Sequence, residues 1–303
     1  MTALLASIPS PSRSEVSLGP LTVHMYGLTL LAAIVAATLL TGYRWKRMGG
    51  EWDLVLRCAV WGVACGVVGA RLYHVVTSWG EVPDPKWKGI FEVWKGGLGV
   101  WGGILFGVLA GCVIVRLERA SVRNMLDAVA PGLLLAQAIG RLGNWWNQEL
   151  FGTPTSRPWG LEIDPAHRPV AYLENTTFHP TFLYELLWNL LGVAVLLIVD
   201  SRFRIRRPAL FALYVSWYTA GRTVEELLRV DPSHEVLGQR LNFWVSLGIF
   251  LISSGFFVWW QFLRGRESAD GGRRPPSMRR RREAAAAAKR PTMAIPKGRR
   301  PRP

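Results

Sequence analysis

The sequence predicts an all-α polytopic membrane protein with seven transmembrane helices. Three observations carry this prediction: the repetition of long apolar runs, the uneven distribution of Lys and Arg between them, and the odd number of runs. The chain has 303 residues, of which 50% are hydrophobic. That fraction alone also fits a soluble protein, so the arrangement of the apolar residues decides the fold class.

Seven apolar runs with few charges follow one another along the chain. A helix of about 18–23 residues crosses a hydrocarbon core of about 30 Å, and lipid offers backbone polar groups no partner outside the helix. Each run therefore predicts one transmembrane helix. The runs occupy residues 24–42, 58–78, 97–115, 126–143, 180–199, 208–228 and 241–263.

Lys and Arg predict the orientation of these helices. The segments 43–57, 116–127 and 200–207, together with the chain from Arg264 onward, contain 25 of them. The alternate segments 1–23, 79–96, 144–179 and 229–240 contain 8. By the positive-inside rule the N-terminus lies outside, the C-terminus is cytoplasmic, and a small extracytoplasmic loop region remains. We expect a multi-pass protein of the cell (inner/plasma) membrane of a bacterium.

Two regions are expected: a seven-helix transmembrane catalytic domain, residues 1–263, and a basic disordered cytoplasmic tail, residues 264–303. The tail holds 14 basic and 3 acidic residues, which is most of the formal charge of +15. We therefore interpret the charge as a topology determinant or an attraction to anionic lipid, and we expect no nucleic acid partner. No cleaved signal peptide is predicted.

Three arginines, Arg71, Arg141 and Arg222, fall within apolar runs. An arginine inside a membrane costs at least about 2.5–3.5 kcal/mol and marks a functional site by default. Each one lies toward the predicted outer end of its run, so separate helices bring guanidinium groups to one level of the outer leaflet. The alternative is that unrelated side chains snorkel to the interface.

Polar neighbours accompany these arginines. Tyr218, Arg222, Glu226 and Arg229 share one face of the sixth helix, where Glu226 is placed to pair Arg222 and Glu225 to compete for it. The segment GRLGNWWNQELFG, residues 140–152, places amide and carboxylate groups directly after Arg141. These are Asn144, Asn147, Gln148 and Glu149. Because guanidinium forks suit phosphate oxygens, we interpret the cluster as a site for a phospholipid headgroup.

Glycines also recur at helical spacing. The sets Gly62, Gly66, Gly69 and Gly103, Gly107, Gly111 predict close helix packing. The glycine-rich run KGGLGVWGG, residues 95–103, fits either packing or a phosphate-binding nest. The cysteines Cys58, Cys65 and Cys112 all lie in predicted helices and are interpreted as packing residues.

Taken together, these segments resemble the prolipoprotein diacylglyceryl transferase family. GRLGNWWNQELFG is similar to the family signature, and five further segments resemble family motifs in chain order over residues 20–263. They are VHMYGL (23–28), GARLYHV (69–75), KGGLGVWGG (95–103), HPTFLYE (179–185) and YTAGRTVEELLRVD (218–231).

The resemblance implies a transferase that moves the sn-1,2-diacylglyceryl group of phosphatidylglycerol to the lipobox cysteine of preprolipoproteins. It implies that Arg141 binds the headgroup phosphate, that Arg222 stabilises the charge on the leaving phosphate, and that Tyr26 is a third catalytic residue. It also implies substrate-binding or supporting roles for further residues. They are Asn144, Asn147, Glu149, Arg71, Tyr218 and Glu226.

One position departs from the family pattern. Where many members carry a histidine before the paired glycines of the third motif, this chain has Trp101. The departure leaves the general base open between arginine-assisted ionisation of the acceptor thiol and one of the histidines His24, His74 and His179.

Three other functions are alternatives to the transferase. A transporter of an anionic lipid or solute would show repeated halves and a polar site at the midplane. A lipid-binding scaffold would not need such concentrated charge, and a phospholipase would need an activated water or nucleophile. No metal-ligand cluster or dinucleotide motif stands out in the sequence, so we expect no cofactor and no metal.

Overall fold

The computed structural model describes residues 7–18, 21–231, 233 and 235–264. Eight α-helices span these residues, and seven of them are long. They are α1 (Met25–Arg47), α2 (Trp52–Thr77), α3 (Lys86–Gly89), α4 (Val100–Leu117), α5 (Val122–Asn147), α6 (Thr181–Arg202), α7 (Ala209–Glu226) and α8 (Leu241–Val258). A π-helical turn, Trp259–Leu263, continues α8. The predicted tail, 264–303, lies outside the described residues except for Arg264.

Six of the long helices are long and apolar enough to cross a membrane: α1, α2, α4, α5, α6 and α8 with its π-helical turn. The protein is therefore a mostly helical, multi-pass membrane protein. The remaining long helix, α7, has 18 residues and carries Arg222, Glu225 and Glu226 at its end. These charges, which belong to the site described below, lower its apolar character.

The exposed surface is apolar, as expected where lipid is the solvent. In α8 the buried residues are Ser246 and Ser253, whereas Leu251 and Ile252 are exposed. Ser253 meets Ser216 of α7 with 2.9 Å between the hydroxyl oxygens. Small polar residues thus form the contact between helices while branched apolar residues face outward, in agreement with packing inside a bilayer.

Glycines bring α2 and α4 together. A Cβ on Gly69 would lie 2.6 Å from the carbonyl oxygen of Gly102, and a Cβ on Gly102 would lie 2.2 Å from that of Gly69. Gly103 and Gly107 approach Gly66 and Gly62 in the same way. The prediction of close packing from small-residue spacing is confirmed for these positions.

Two tryptophans fasten α6 to α7. The indole of Trp188 donates to the carbonyl of Trp217 at 2.9 Å, and the indole of Trp217 donates to that of Trp188 at 3.0 Å. The rings stack with centroids 4.5 Å apart. Gly192 and Gly221 make room, since a Cβ at either would lie 2.4 Å or less from an indole nitrogen. We call this arrangement the tryptophan clasp.

A charged cluster joins four helices near the start of α5. Arg44 donates to the carbonyls of Asp127 and Ala128 and to the Asp200 carboxylate. Arg207 pairs with both Asp127, at 3.2 Å, and Asp200, at 3.3 Å. The Asp127 carboxylate, fully buried, also accepts from the backbone N–H of Phe211. We call Arg44, Asp127, Asp200 and Arg207 the Arg44 cluster.

Short strands and loops pack at the other end of α5. The antiparallel pairs are β1 (Glu15–Leu18) with β2 (Leu21–His24), β3 (Leu161–Glu162) with β4 (Thr177–Phe178), and β5 (Glu235–Val236) with β6 (Gln239–Arg240). Their small apolar core contains Phe151, Leu161, Ile163, Phe178 and Phe182. A loop region with its own small apolar core is therefore present at this end of the bundle; its predicted extracytoplasmic location stays a prediction.

Candidate active site

The site is built at the end of α5, where GRLGNWWNQELFG closes the helix. Helix α5 starts after Ser121, whose hydroxyl accepts from the N–H of Asn124, and stops at Gln148, which adopts the left-handed conformation with φ 49°. The Gln148 side chain then bonds both the N–H and the carboxylate of Asp164. The loop region is thereby tied to the helix end that carries Arg141 and Asn144.

Arg141 and Arg222 meet around one carboxylate. Glu185 of α6 forms an ion pair with Arg141 Nε through Oε2 and accepts a hydrogen bond from Arg222 Nη1 through Oε1, the latter at 3.0 Å. The two guanidinium side chains are 17% and 15% exposed, and that of Glu185 is 7% exposed. Helices α5, α6 and α7 therefore converge on one largely desolvated cluster that still has an open side.

Arg222 is held by two further carboxylates. Its Nη1 lies 2.7 Å from Glu225 Oε2, and its Nη2 bonds Glu226 Oε1. The predicted pairing with Glu226 is present, and Glu225 binds Arg222 at the same time instead of replacing it. We call Arg141, Glu185, Arg222, Glu225 and Glu226 the Arg222 cluster.

Behind Glu226 lies a second layer of charge. Arg240 of β6 donates from Nε to Glu226 Oε2 at 2.6 Å and from Nη2 to Asp231 at 2.8 Å, and Arg229 also binds Asp231. Burial raises the pKa of Asp231, but its bonds to Arg229 and Arg240 outweigh this, so that its pKa lies below the ordinary value. The loop between α7 and α8 thus fixes Glu226, which in turn orients Arg222.

The amides of the signature surround Arg141. Arg141 Nη1 donates to Asn144 Oδ1 at 3.3 Å, and the nitrogen of Asn144 donates to Glu149 at 2.8 Å. Asn147 donates to the same carboxylate oxygen at 3.3 Å. Within the described residues, no hydrogen bond uses Arg141 Nη2, so one edge of this guanidinium remains available for an anion.

Tyr26 lies against the same stretch of α5. A Cβ on Gly143 would lie 2.6 Å from Cδ2 of the Tyr26 ring and 2.9 Å from Thr29 Oγ1. The glycine between Arg141 and Asn144 therefore allows the first helix to approach the signature closely. Tyr26 itself is 44% exposed, which leaves much of its ring accessible to a substrate.

A cavity of about 290 Å³ opens beside the cluster between α6 and α7. Its walls are mainly apolar and aromatic, as in sites for small apolar ligands. Tyr218, Glu185, Glu225 and Arg222 line it, together with Trp188 of the tryptophan clasp. A ligand in this cavity would reach the guanidinium of Arg222 directly.

Arg71 occupies a different environment from Arg141 and Arg222. Its side chain donates to the backbone carbonyls of Gly89, Ile90, Gly96 and Gly97 and is almost wholly buried. Among the described residues, no ion pair or hydrogen bond joins it to the Arg222 cluster. Arg71 fastens the glycine-rich loop to α2, and the carbonyl oxygens of that loop face its guanidinium group. The substrate-binding role of Arg71 stays a prediction.

The general-base candidates are spread over the molecule. His24 pairs with Glu15 at 2.9 Å, and His74 lies 4.0 Å from Glu81. His179 bonds the hydroxyl of Tyr184, which lines the cavity. Trp101 is half exposed at the start of α4. In the part of the chain that the structure describes, no group of His, Cys, Asp and Glu could hold a metal ion.

Sequence reasoning did not assign a role to Glu185 or Arg240. Glu185 ends the quoted segment HPTFLYE, and a carboxylate at the start of a predicted transmembrane helix requires a partner. That signal could have found it, because Arg141 and Arg222 lie at the same predicted depth. Arg240 carried no comparable signal, since its contact with Glu226 depends on how the loop before α8 folds back.

The fold and site together define a multi-pass membrane protein with a buried arginine–carboxylate site next to an apolar cavity. The model of the prolipoprotein diacylglyceryl transferase family matches residues 14–259. The chain belongs to this family.

Several relatives are named phosphatidylglycerol–prolipoprotein diacylglyceryl transferase. One from Cutibacterium acnes is 50% identical over 80% of this chain and 83% of its own length. One from Bifidobacterium adolescentis is 44% identical over 84% of this chain and 80% of its own. A third, from Streptomyces coelicolor and named transferase 2, is 47% identical over 82% and 78%.

Proposed function

We infer that this chain transfers the sn-1,2-diacylglyceryl group of phosphatidylglycerol to the cysteine thiol of prolipoproteins, the first step of bacterial lipoprotein maturation. The names of relatives at 44–50% identity over most of the chain support this activity. The observation that carries it in the structure is the convergence of Arg141 and Arg222 on Glu185 beside an apolar cavity. Such a site can hold a phosphate next to acyl chains.

The reaction we propose is a displacement at carbon. The acceptor sulfur attacks the glyceryl carbon that bears the phosphate, the carbon–oxygen bond breaks, and its electron pair stays on the phosphate oxygen. A thioether forms, glycerol 1-phosphate leaves, and the thiol proton passes to a base or to the departing phosphate. The proposed reaction uses no cofactor.

Charge grows on the phosphate as this bond breaks, and the guanidinium groups are positioned to stabilise it. We propose that Arg141 binds the headgroup phosphate through its available Nη2 edge and that Arg222 stabilises the leaving group. Donors that bind the transition state more tightly than the ground state increase the rate. Because Glu185 is paired with both arginines, the incoming phosphate competes with this carboxylate for them.

The remaining site residues support these two in the proposal. Asn144 and Tyr26 position the reacting groups, with Asn144 held by Glu149 and Asn147 behind it. Tyr218 lines the cavity, and Glu226 orients Arg222. The lipobox segment of the acceptor would approach from the end of α5, where Tyr26 is exposed.

The membrane arrangement is also a proposal. All seven long helices cross the bilayer, α7 included, with the N-terminus outside and the tail from 264 in the cytoplasm of a bacterium. The Lys and Arg distribution supports it. So do the positions of Arg141 and Arg222 near the C-terminal ends of α5 and α7. Residues 1–263 then form the catalytic domain.

The direct test uses membranes that contain the protein, incubated with phosphatidylglycerol and a lipobox peptide. A mass increase equal to one diacylglyceryl group on the cysteine, with release of glycerol 1-phosphate, is the expected result. Membranes carrying Arg141→Lys are the matched control. An unmodified peptide with correctly inserted protein would reject the transferase, and lipid movement without modification would favour the transporter.

Thiol activation has its own test. The ordinary cysteine pKa of about 8.5 leaves only a few per cent of thiolate at neutral pH, and nearby guanidinium groups increase that fraction. We propose that this field replaces the family histidine absent at Trp101. Trp101→His should change the rate little; a large gain, measured as initial rate against pH, would show that deprotonation by a base limits this enzyme.

A further inference from the structure

The cavity beside the Arg222 cluster continues inward along α6 and is lined there by a buried amide side chain. Asn189 lines this cavity and is 1% exposed. Its amide nitrogen Nδ2 has no hydrogen-bond partner among the described residues. Buried polar groups are nearly always paired, because a buried donor without a partner loses its bonds to water without compensation. A ligand that supplies an acceptor would remove this cost.

The position of Asn189 indicates what kind of acceptor it can meet. Asn189 follows Glu185 by four residues in α6, so both side chains lie on one face, about 6 Å apart along the helix axis. Glu185 and Arg222 lie at the phosphate end of the cavity. An acceptor for Asn189 therefore belongs to the part of the ligand that lies a few bonds beyond the phosphate, toward its apolar end.

A diacylglyceryl phospholipid has such acceptors at that place. Its two ester carbonyls are attached through oxygen to the other two glycerol carbons, one of which is adjacent to the carbon that bears the phosphate, and the acyl chains follow. The aromatic and apolar walls around Asn189, including Trp188 and Tyr218, suit the beginning of these chains. No other polar part of the lipid lies between the phosphate and the hydrocarbon.

We propose that the amide of Asn189 donates a hydrogen bond to a glyceryl ester carbonyl of the lipid donor while the arginines hold its phosphate. This assignment rests on the proposed transferase function. It makes Asn189 a specificity-determining residue, because a lipid whose chains are joined by ether bonds offers no carbonyl there. A site that rejects a substrate lacking an acceptor does so because its own buried donor stays unpaired.

The test compares diester phosphatidylglycerol with its diether analogue in transfer to a lipobox peptide. The wild-type protein should use the diester with a kcat/KM about tenfold higher, the effect of one buried hydrogen bond. Asn189→Leu, similar in volume and without a donor, should lower the diester rate and bring the ratio close to one. The ratio is the decisive quantity, since a merely structural defect would slow both lipids equally.

Thr219→Val provides the matched control. Thr219 is also buried, but its hydroxyl donates to the carbonyls of Val215 and Ser216 within its own helix. Its loss should leave the lipid preference unchanged. If Asn189→Leu does not accumulate in membranes, Asn189→Ala serves the same purpose because it too removes the donor.

Two results would overturn the proposal while the transferase stands: equal use of both lipids by the wild-type protein, or a wild-type preference retained in Asn189→Leu and Asn189→Ala. Absence of transfer from the diester lipid by the wild-type protein would instead overturn the proposed function, and with it this assignment. The two failures are therefore distinguishable in one set of measurements.

Discussion

The Arg44 cluster and the Arg222 cluster are both buried ion networks, and they lie at opposite ends of α5. Asp127 and Arg141 are separated along that helix by roughly 21 Å. In the first cluster, both arginines bind carboxylates and Arg44 also binds backbone carbonyls. No described residue of it lines the cavity. In the second, Glu185, Arg222 and Glu225 line the cavity, and Arg141 keeps an unused edge.

This difference shows that buried charge alone does not identify a functional site. A network whose groups are all bound by protein holds helices together, whereas one with an open edge and an adjoining cavity can bind a ligand. The comparison therefore predicts that mutations in the Arg44 cluster reduce stability and that mutations in the Arg222 cluster reduce activity.

The largest effect is expected from Asp127→Ala in the Arg44 cluster. It removes the acceptor of the Phe211 N–H and one partner of Arg207, which leaves buried positive charge unbalanced. We expect a loss of about 3–5 kcal/mol in the free energy of unfolding, measured by denaturation in detergent, with normal activity per folded molecule. Asp127→Asn, which keeps an acceptor, should lose less. Inactive but fully stable protein would refute the comparison.

Arg141→Lys should give the next largest effect, now on activity. A point charge replaces a planar fork, so kcat/KM should fall on the order of 10²-fold while the unfolding temperature changes little. Diacylglyceryl transfer to a lipobox peptide measures the first quantity. Arg157→Lys, in the loop region over Trp159, is the control that should retain full activity. Turnover near that of the wild type in Arg141→Lys would remove Arg141 from the site.

A smaller loss of activity is expected from Arg240→Gln. Arg240 acts through Glu226, so its loss should reduce kcat about tenfold with little change in KM. The double variant with Glu226→Gln tests the coupling: if both residues act through Arg222, it should be hardly slower than the slower single variant. Independent, multiplying losses would contradict the network.

The smallest effect concerns Asp231, whose pKa lies below the ordinary value of 3.8 because Arg229 and Arg240 hold the charged form. The stabilisation is complete above that ordinary value and disappears as the pH falls through the lowered one. The free energy of unfolding of Asp231→Asn should therefore be about 1 kcal/mol lower than that of the wild-type protein at neutral pH. The difference in unfolding temperature between the variant and the wild-type protein should persist down to about pH 4 and disappear at lower pH. A gap that stays constant in stronger acid would show that charge is not its cause.

Much of the fold can be predicted from the sequence because the thickness of the membrane sets the length of most helices. The thickness of the hydrocarbon core determines the apolar runs, so the run 180–199 predicts α6 (Thr181–Arg202) closely. The i,i+4 contact of Arg222 with Glu226 follows from helix geometry alone. Such local rules need no knowledge of how the helices pack.

The rest depends on rotation and contact between distant helices. Glu185 reaches Arg141 and Arg222 only because α6 presents that face to α5 and α7. Arg71 resembles the other two arginines in the sequence, yet it binds the carbonyls of a loop that folds back on α2. The strand pairs and the Arg240 contact likewise arise from loop closure, for which the chain carries no periodic signal.

The tryptophan clasp has a consequence for lipid traffic. To part α6 from α7, two indole N–H groups would have to give up their carbonyl partners in a medium that offers no water in exchange. We therefore expect these two helices to move together as one rigid unit. A bulky two-tailed molecule that enters, or a modified protein that departs, must therefore do so without parting α6 from α7 at the clasp.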